Sequence, residues 1–457
     1  MILRPNQVQA LEDIRNFIES PLKDGIVISP VATGKSILIA ETIKLLGCPV
    51  LIIQPNKELL KQNYDKYTRY GFEASIYSAS LGEKNATKTT FATIGSIISD
   101  LQTFKDLGVK AICLDEAHWA AKEQNQLGEV CSFLGVNKMI GLTATPFINK
   151  NTMEGSYIQM MNRSRDCLFN NIIHVTQIQD ILQYWTPITY KFSKGGTNSS
   201  MLQLNSTGRD YTAESLKRFY DSNSIEYKIL RSISWLKDRG INQSLIFVPS
   251  VAEAESLALQ IVGARVLHGK TNKKERDEIV QGFVEGLIPY VINVDVLGTG
   301  FDYPNLPSII HGRPTNSIIT YYQHIGRGVR LGTNGKKIDF LFLDLVGNVD
   351  KFGKIEDLRF EQDKKGRWEL FINEKQLTSN GFKPKVISMN EIMALEENIR
   401  DYTLSFGKYA NHNLVQLVKK DKKYLKWMAS DKFEPFSEGS QKDKEAVKYI
   451  LKHFNLI

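Results

Sequence analysis

The segment Ser29-Pro30-Val31-Ala32-Thr33-Gly34-Lys35-Ser36 sets a glycine, a lysine and a hydroxyl side by side. An apolar run, Ile26 to Ser29, precedes them, and a helical pattern, Ser36 to Leu46, follows. A phosphate chain needs backbone N–H groups turned inward, a cation for the outer phosphates and a hydroxyl for the metal counter-ion. Thr33, Gly34, Lys35 and Ser36 supply that set. Gly-Lys-Ser alone is also an ordinary helix start with a solvent lysine. A second element narrows the reading. Ala111-Ile112-Cys113-Leu114 is apolar throughout, as a central parallel strand must be. Asp115 and Glu116 follow at its carboxyl end, the edge where open α/β sheets bind ligands. Asp115, with Ser36, is placed to hold magnesium, and Glu116 to orient and deprotonate a water. Asp115 could instead cap the next helix, but capping does not explain the coincidence with Lys35. Far downstream, Gln323-His324-Ile325-Gly326-Arg327-Gly328-Val329-Arg330 carries two arginines one helical turn apart. The combined chemistry is hydrolysis of ATP with Mg²⁺. Lys35 and the metal come from one domain, and Gln323, Arg327 and Arg330 from another.

Residues 1–150 carry the pattern that would position the first half. Apolar runs at Ile26 to Ser29, Val50 to Ile53, Ala74 to Tyr77, Ala111 to Leu114 and Met139 to Leu142 alternate with helical patterns, among them Lys57 to Tyr67. That alternation predicts a mostly parallel sheet covered by helices. After Pro146 the rhythm breaks. Residues 151–220 read as a linker with a hairpin, from Ile188 to Phe192 through Gly195-Gly196 to a strand near Met201 to Leu204. The rhythm returns over 221–350, with strands at Leu245 to Val248, Ala264 to Leu267, Tyr290 to Val294, Ser308 to Ile310 and Ile338 to Asp344. Helices are expected there at Ala252 to Gln260 and Lys273 to Gly282. Residues 351–457 read as an accessory domain with helices at Leu395 to Arg400, Asn413 to Lys420, Lys422 to Ala429 and Lys442 to His453. The expected fold is α/β, with two tandem parallel-sheet domains and a small, mainly helical C-terminal domain.

The 457 residues are too many for one growing core. Lys and Arg outnumber Asp and Glu by 58 to 50, an excess that fits a polyanionic partner without requiring one. Cys48, Cys113, Cys131 and Cys167 are widely spaced, which argues against a zinc cluster or a disulfide framework and for a reducing compartment. Cys113 reads as a core residue. No run of about 18 apolar residues is present, so neither a signal peptide nor a membrane span is expected.

The motifs, in this order over residues 1–350, resemble those of superfamily 2 helicases and translocases. The branch is the one with DEAH boxes, which holds RecG-like, Rad3-like and restriction-enzyme motors, and the likeness is strongest to phage UvsW-like branch-migration helicases. The resemblance implies RecA-like folds for both sheet domains and roles for individual residues. In Arg4-Pro5-Asn6-Gln7, Arg4 and Gln7 would contact the nucleotide, Gln7 at the adenine edge. Gln54-Pro55-Asn56, Thr93, Ser96, Ser250 and Thr299 would contact the nucleic-acid strand. Thr143-Ala144-Thr145-Pro146 would couple hydrolysis to that contact. Gly300 and Asp302 would face the nucleotide, and Gln323, Arg327 and Arg330 would form the arginine-finger motif. Arg313-Pro314-Thr315 and Asp344 are similar to segments of restriction-type and UvsW-like motors. One departure is Ala32, where the family has a glycine; that turn is expected to keep φ negative.

The implied partner is DNA, single-stranded, forked or at a junction, bound without sequence preference through its phosphates. Replication or recombination proteins are further expected partners, with a monomer acting in the cytoplasm, or the host cytoplasm if phage-encoded. A duplex translocase without strand separation, an RNA helicase and an ATP-switched nucleic-acid clamp are the alternatives. At the C-terminus, Leu404-Ser405-Phe406-Gly407-Lys408-Tyr409 and Tyr424-Leu425-Lys426-Trp427 resemble a short phage and bacterial module of unknown role. Phe406, Tyr409, Leu414, Leu417, Tyr424, Leu425 and Trp427 read as its core. Lys419, Lys420, Lys422 and Lys423 read either as a DNA-contacting cluster or as a solvated face, and Trp368 with Phe371 as a bridge to the second motor domain.

Overall fold

The computed structural model describes residues 3–121, 124–152, 155–164, 167–192, 197–208, 210–297, 303–332, 339–379, 401–405, 407–430 and 433–454. The chain separates into two compact units, residues 1–150 with 157–380, and residues 151–156 with 381–457.

Two α/β sheets build the first unit. The first sheet contains β1 (Asp24–Ile28), β2 (Val50–Gln54), β3 (Ser75–Ser78), β4 (Glu83–Lys84), β5 (Thr89–Thr93), β6 (Ala111–Asp115) and β7 (Lys138–Thr143). After a two-stranded ribbon, β8 (Phe147–Thr152) with β9 (Gly155–Met160), the strand β10 (Ile172–Val175) completes it in the order β10-β1-β7-β6-β2-β5-β3-β4. Only β4 runs antiparallel. The second sheet is parallel throughout. It holds β11 (Ile188–Phe192), β12 (Ser244–Phe247), β13 (Ala264–Leu267), β14 (Tyr290–Asn293), β15 (Ser308–His311) and β16 (Phe340–Asp344) in the order β11-β16-β15-β12-β14-β13.

Alternate side chains leave a strand on opposite faces, and the cores follow that rule. Ile26, Ile28, Leu51 and Ile53 enter one apolar cluster, while Val27, Val50 and Ile52 enter the cluster on the other face. The first of these clusters continues into the second sheet through Leu245, Phe247, Val291 and Ile309. Cys113 is fully buried, as its apolar context predicted. These are tandem RecA-like domains, and every expected strand of both sheets is present within two residues of its predicted bounds.

The region between the sheets departs from expectation. Ile188–Phe192 is a strand, but it pairs in parallel with β16 and closes the edge of the second sheet. No hairpin partner stands at Met201 to Leu204; Ser199–Met201 is a 3₁₀ turn, and Leu204 makes one bridge to Tyr211. The glycines of the expected turn lie outside the described residues. β5 and β10 were not anticipated, being short runs without a full alternation. The chain between the domains therefore adds an edge strand to each sheet.

A third sheet, β17 (Leu358–Gln362), β18 (Trp368–Ile372) and β19 (Lys375–Gln376), is antiparallel. It belongs to the motor unit, not to the helical C-terminal unit. Leu358, Phe360, Leu370 and Ile372 join the shared core. The Gln177 amide bonds the backbone of Phe360 in both directions, at 2.7 and 3.0 Å, and Arg163 pairs with the buried Glu369 at 2.6 Å. Trp368 and Phe371 thus lie in a strand of the motor unit, where a bridge to the C-terminal module was expected.

In the C-terminal unit, the helices Leu414–Lys420, Lys422–Ala429 and Glu438–His453 pack around Leu404, Leu417, Leu425, Met428, Val447 and Ile450. Tyr409, Leu414, Leu417 and Leu425 are core as expected; Tyr424 is half-buried and Trp427 is 45% exposed. Phe406 and the helix expected at Leu395 to Arg400 lie outside the described residues. Asp421, between the first two helices, caps the second by accepting from the Tyr424 N–H at 3.1 Å and ties it to the preceding turn by accepting from the Tyr409 hydroxyl at 2.8 Å. Asp443 is fully buried and accepts from the Tyr402 hydroxyl at 2.9 Å and from Ser405 N–H and Oγ at 2.8 and 2.9 Å. Asp443→Ala would remove the acceptor of three donors on half-buried Tyr402 and exposed Ser405, at about 0.5–1.5 kcal/mol per bond because water can partly replace it. Amide hydrogen exchange over Glu438–His453 should accelerate in that variant while exchange in the motor sheets stays unchanged.

Candidate nucleotide cleft

The loop after β1 starts the site. Gly34 has φ 86° and leads directly into the helix Lys35–Leu46. A β-carbon there would stand 2.5 Å from Gln7 Nε2, so a side chain would push the Gln7 amide from its place, and the φ itself favours glycine. Ala32 corrects an expectation: its φ is +60°, in the left-handed region. That conformation costs a non-glycine residue about 1–2 kcal/mol. Two bonds brace the turn, Arg4 Nη1 to the Ala32 carbonyl at 3.0 Å and Gln7 Nε2 to the Thr33 carbonyl at 2.9 Å. Gln7 also accepts from the Arg4 N–H at 2.9 Å. Its amide keeps one N–H and one lone pair uncommitted by these bonds. The Arg4 guanidinium lies 4.2 Å from the Tyr184 ring centre.

β6 carries the carboxylates to the same edge. β7 lies between β1 and β6, so the loop and the carboxylates are about 10 Å apart at ordinary strand spacing. That gap suits a phosphate chain and a metal. Lys35 Nζ bridges it to Glu116 Oε1 at 2.8 Å. Glu116 has φ 49°, a strained conformation of the kind found where a side chain must be aimed. Burial pushes its carboxyl pKa up, but the charges of Lys35, His118 and Arg327 outweigh burial and hold it below the ordinary value. Burial and the Glu116 charge push Asp115 in the opposite direction. Two neighbouring carboxyls are thereby set apart, one stably ionised and one ready to gain a cation.

Asn63 connects the expected metal ligands. It donates to Asp115 Oδ2 at 2.7 Å and to Gln54 Oε1 at 3.2 Å, and accepts from Ser36 Oγ at 3.2 Å. Ser36 and Asp115 offer the hard oxygen donors that Mg²⁺ takes, and they meet around one small polar group. Sequence reasoning passed over Asn63, although an asparagine on the buried helical face of Leu59, Leu60 and Tyr67 was a legible signal. His118 was also left without a role. Its Nδ1 lies 3.5 Å from Glu116, 3.1 Å from Thr143 Oγ1 and 3.2 Å from Thr145 Oγ1.

The second RecA-like domain closes the cleft. Gln323, Gly326, Arg327 and Arg330 line it opposite Lys35, Ser36, Asp115 and Glu116. Trp185 Nε1 donates to the Val31 carbonyl at 3.0 Å, and the Val31 N–H donates to the Tyr322 hydroxyl at 3.1 Å. A β-carbon at Gly326 would stand 3.0 Å from Val31 Cγ1, so the domains meet tightly there. Behind the arginines, a buried chain fixes the helix Ile318–Ile325. The Asn348 amide donates to His311 Nδ1 at 2.9 Å, and His311 Nε2 lies 2.8 Å from His324 Nδ1. Burial pushes both imidazoles down, His311 to about 3, so both are neutral. His311 therefore donates and His324 accepts. The His324 ring stacks on Phe247 with centres 3.8 Å apart.

The remaining expected residues divide. Gly300, Asp302 and Thr299 lie outside the described residues. The Gln54 side chain is fully buried and accepts from Asn63 beside the phosphate-loop residues. Ser96 is buried too, its hydroxyl accepting from the Ala79 N–H at 3.0 Å and bonding Thr93 Oγ1 at 3.0 Å. Pro55 is exposed, Asn56 caps the helix Lys57–Arg69 through the Leu59 N–H, and Ser250 bonds Glu253. Arg313 pairs with Asp210 at 2.9 Å and with Asp295 at 3.2 Å. Asp344, its carboxyl pushed up to about 6 by burial, receives the N–H groups of Val346 and Val349 and shapes a turn. Lys420 and Lys423 are exposed and Lys422 half-buried; the Lys419 side chain is outside the description.

Comparison with known proteins agrees with this architecture. Residues 1–148 match the family model "Type III restriction enzyme, res subunit", and residues 226–332 match "Helicase conserved C-terminal domain". The chain is 25% identical to the "Putative mitochondrial ATP-dependent helicase irc3" of Schizosaccharomyces pombe, over 86% of this chain and 65% of that protein. It is also 25% identical to the "51.5 kDa protein" of a Lactococcus phage, over 66% of this chain and 62% of that one. RNA helicases are among the further relatives. The chain thus spans less than two thirds of the length of these two relatives. The structure titled "ATP-dependent Type ISP restriction-modification enzyme LlaBIII bound to DNA" superposes with a TM-score of 0.53 at 16% identity, covering 75% of this chain and 27% of that one. That likeness is one of fold. Among the described residues, no helix is long and apolar enough to cross a membrane.

The loop geometry makes a paired prediction. Gly34→Ala should lower stability by about 1–3 kcal/mol, the cost of a strained φ, and loosen the Gln7 bond. Ala32→Gly should be neutral or stabilising by up to about 1 kcal/mol, because relieved strain offsets the added freedom of the unfolded chain. Chemical denaturation of both variants beside the parent checks the contrast.

Proposed function

We propose that this superfamily 2 helicase-domain protein is an ATP-dependent DNA helicase that tracks along a strand and unwinds or branch-migrates forked and junction DNA. The observation that carries the reading is the single cleft with Lys35, Asp115 and Glu116 on one domain and Gln323, Arg327 and Arg330 on the other. Lys35 would leave Glu116 for the outer phosphates of ATP. Ser36 and Asp115 would hold Mg²⁺, whose charge offsets the negative charge of the phosphates. Glu116, freed and ionised, would take a proton from the attacking water. Arg327, already close enough to bias Glu116 electrostatically, would meet the charge that develops on the transferred phosphoryl group. Gly300 and Asp302 would complete the nucleotide contacts, and Arg4 and Gln7 the base end. Because the halves of the site belong to different domains, binding and hydrolysis would close and open them. Strand grips at Pro55, Asn56 and Thr93 on one domain, and at Ser250 and Thr299 on the other, would then step along the phosphates.

The DNA preference draws on the restriction-enzyme family model over residues 1–148. The lysines Lys419, Lys420, Lys422 and Lys423 would add duplex or junction contacts. An RNA helicase is the second reading, favoured by the RNA helicases among the relatives.

Glu116→Gln should keep nucleotide and DNA binding while turnover falls by about 10²–10⁴-fold, the usual contribution of a general base; a steady-state ATPase rate near the parent's would remove Glu116 from this role. Arg327→Ala should slow turnover by about 10³-fold or more and retain ATP affinity better than Lys35→Ala does, as titration with labelled nucleotide would read. Hydrolysis should rise with single-stranded, forked or junction DNA, and forked DNA should be unwound. Stimulation by RNA alone would favour the RNA helicase. Stimulation by duplex without unwinding would favour a translocase, and binding without stimulation a clamp.

A further inference from the structure

The helix Ile225–Lys237 lies over the second sheet and presents Tyr227, Arg231 and Trp235 at successive four-residue steps. Side chains at that spacing share one face, and the series spans about 12 Å along the axis. Tyr227 is 60% exposed. Together with Lys228 and, from the end of β11, Lys191, these residues line an open groove separate from the nucleotide cleft. Arg231 lies 5.9 Å from the Tyr227 ring centre, and Lys191 lies 5.7 Å from that of Trp235. Among the described residues, Lys191, Lys228 and Arg231 have no carboxylate partner. The acid that lines the groove, Asp344, is buried and committed to backbone N–H groups.

The fold places this groove on a particular edge. Phe192 and Asp344, which line it, are the last residues of β11 and β16, so it opens at the carboxyl edge of the second sheet. Ser250 follows β12 at the same edge, and β12 lies two strands from β16. At ordinary strand spacing the separation across the sheet is about 10 Å. A chain passing Ser250 could therefore continue into the groove.

We infer that this groove binds an unpaired segment of nucleic acid, with a base stacked on Tyr227 and phosphates against Lys191, Lys228 and Arg231; the Trp235 ring is already covered by the Arg239 guanidinium, 3.8 Å from its centre. Cations alone would suit any polyanion. An exposed ring, Tyr227, flanked by cations suits a strand whose base faces are free, since stacking needs an open π-face that a duplex does not offer. The inference extends the motor reading above and depends on it, but Tyr227, Lys191, Lys228 and Arg231 belong to none of the motifs on which that reading rests.

The test uses the full chain and fluorescein-labelled oligonucleotides: single-stranded DNA, single-stranded RNA of the same sequence, and a blunt DNA duplex. Anisotropy titrations compare the parent with Tyr227→Ala and with the double variant Lys228→Ala/Arg231→Ala. Tyr227→Ala should weaken single-strand binding by about 5- to 100-fold, the range for loss of one stacked base, and change duplex binding by less than about twofold. The double variant should lower the slope of log affinity against log salt by about 1.4 on single strands. Unstimulated ATPase and the thermal midpoint should match the parent, which separates a binding defect from misfolding. The DNA and RNA arms say which strand the groove accepts. Parent-like single-strand affinity in both variants overturns the groove alone. An equal loss on duplex overturns the unpaired-strand assignment. A parent that binds no nucleic acid overturns the motor reading and the groove with it.

Discussion

Three ionisable side chains, Lys35, Asp115 and Glu116, share a cleft that water only partly reaches, and the surrounding structure answers to the cost of putting them there. An unpaired buried charge is costly, and a paired one is retained only with good geometry and further hydrogen bonds. Lys35 and Glu116 meet at 2.8 Å. Asp115 is left with an amide from Asn63 and the N–H of Glu116 at 2.9 Å, and no ion pair among the described residues. The arrangement leaves a demand for positive charge at Asp115 and an exchangeable lysine at Glu116. A magnesium–nucleotide complex would supply the one and compete for the other. The same balance accounts for the positive φ at Glu116: its backbone turns so that adjacent carboxylates point to different partners.

The parts of this arrangement legible beforehand were those in which one residue type has one physical reason to stand where it does. Gly34, Lys35 and Ser36 after an apolar run, and Asp115 and Glu116 after another, identified the loop and the carboxylates, and the alternating runs located the sheets. What escaped was set by tertiary contact. Asn63 reads as a polar residue on an amphipathic helix until β6 is placed beneath it. Trp185 lies in a segment without periodicity, and only the folded chain brings its indole to Val31. β17 and β18 were lost because the last hundred residues read as helical. Gln54 and Ser96 carry a further lesson: a motif names a position, but burial and internal bonds, invisible in the sequence, decide what its side chain can reach.

The helical module shows how little a short motif can say by itself. Gly407 has φ 79°, and a β-carbon there would fall 2.2 Å from the Tyr424 hydroxyl. Tyr409 and Tyr424 both satisfy Asp421. The spacing of the resemblance is thus explained by packing and capping within the module. Trp427 is the exception, because its ring is half exposed and the core does not require it there.

The contacts between the two motor domains bear on how they could move. Val31 spends both its backbone polar groups on the far domain, through Trp185 and Tyr322. Each such bond contributes a net of about 0.5–1.5 kcal/mol. Two of them steady the loop but cannot hold the domains together against a ligand whose binding differs by several kcal/mol between open and closed states. They also leave Thr33, Gly34, Lys35 and Ser36 to turn their N–H groups toward phosphate, since neither bond uses those groups. The loop is therefore gripped by the far domain at its first turn and braced by its own domain, through Arg4 and Gln7, at its second. The far domain would sense through Val31 a shift of the loop, while Lys35 would meet phosphate four residues further along.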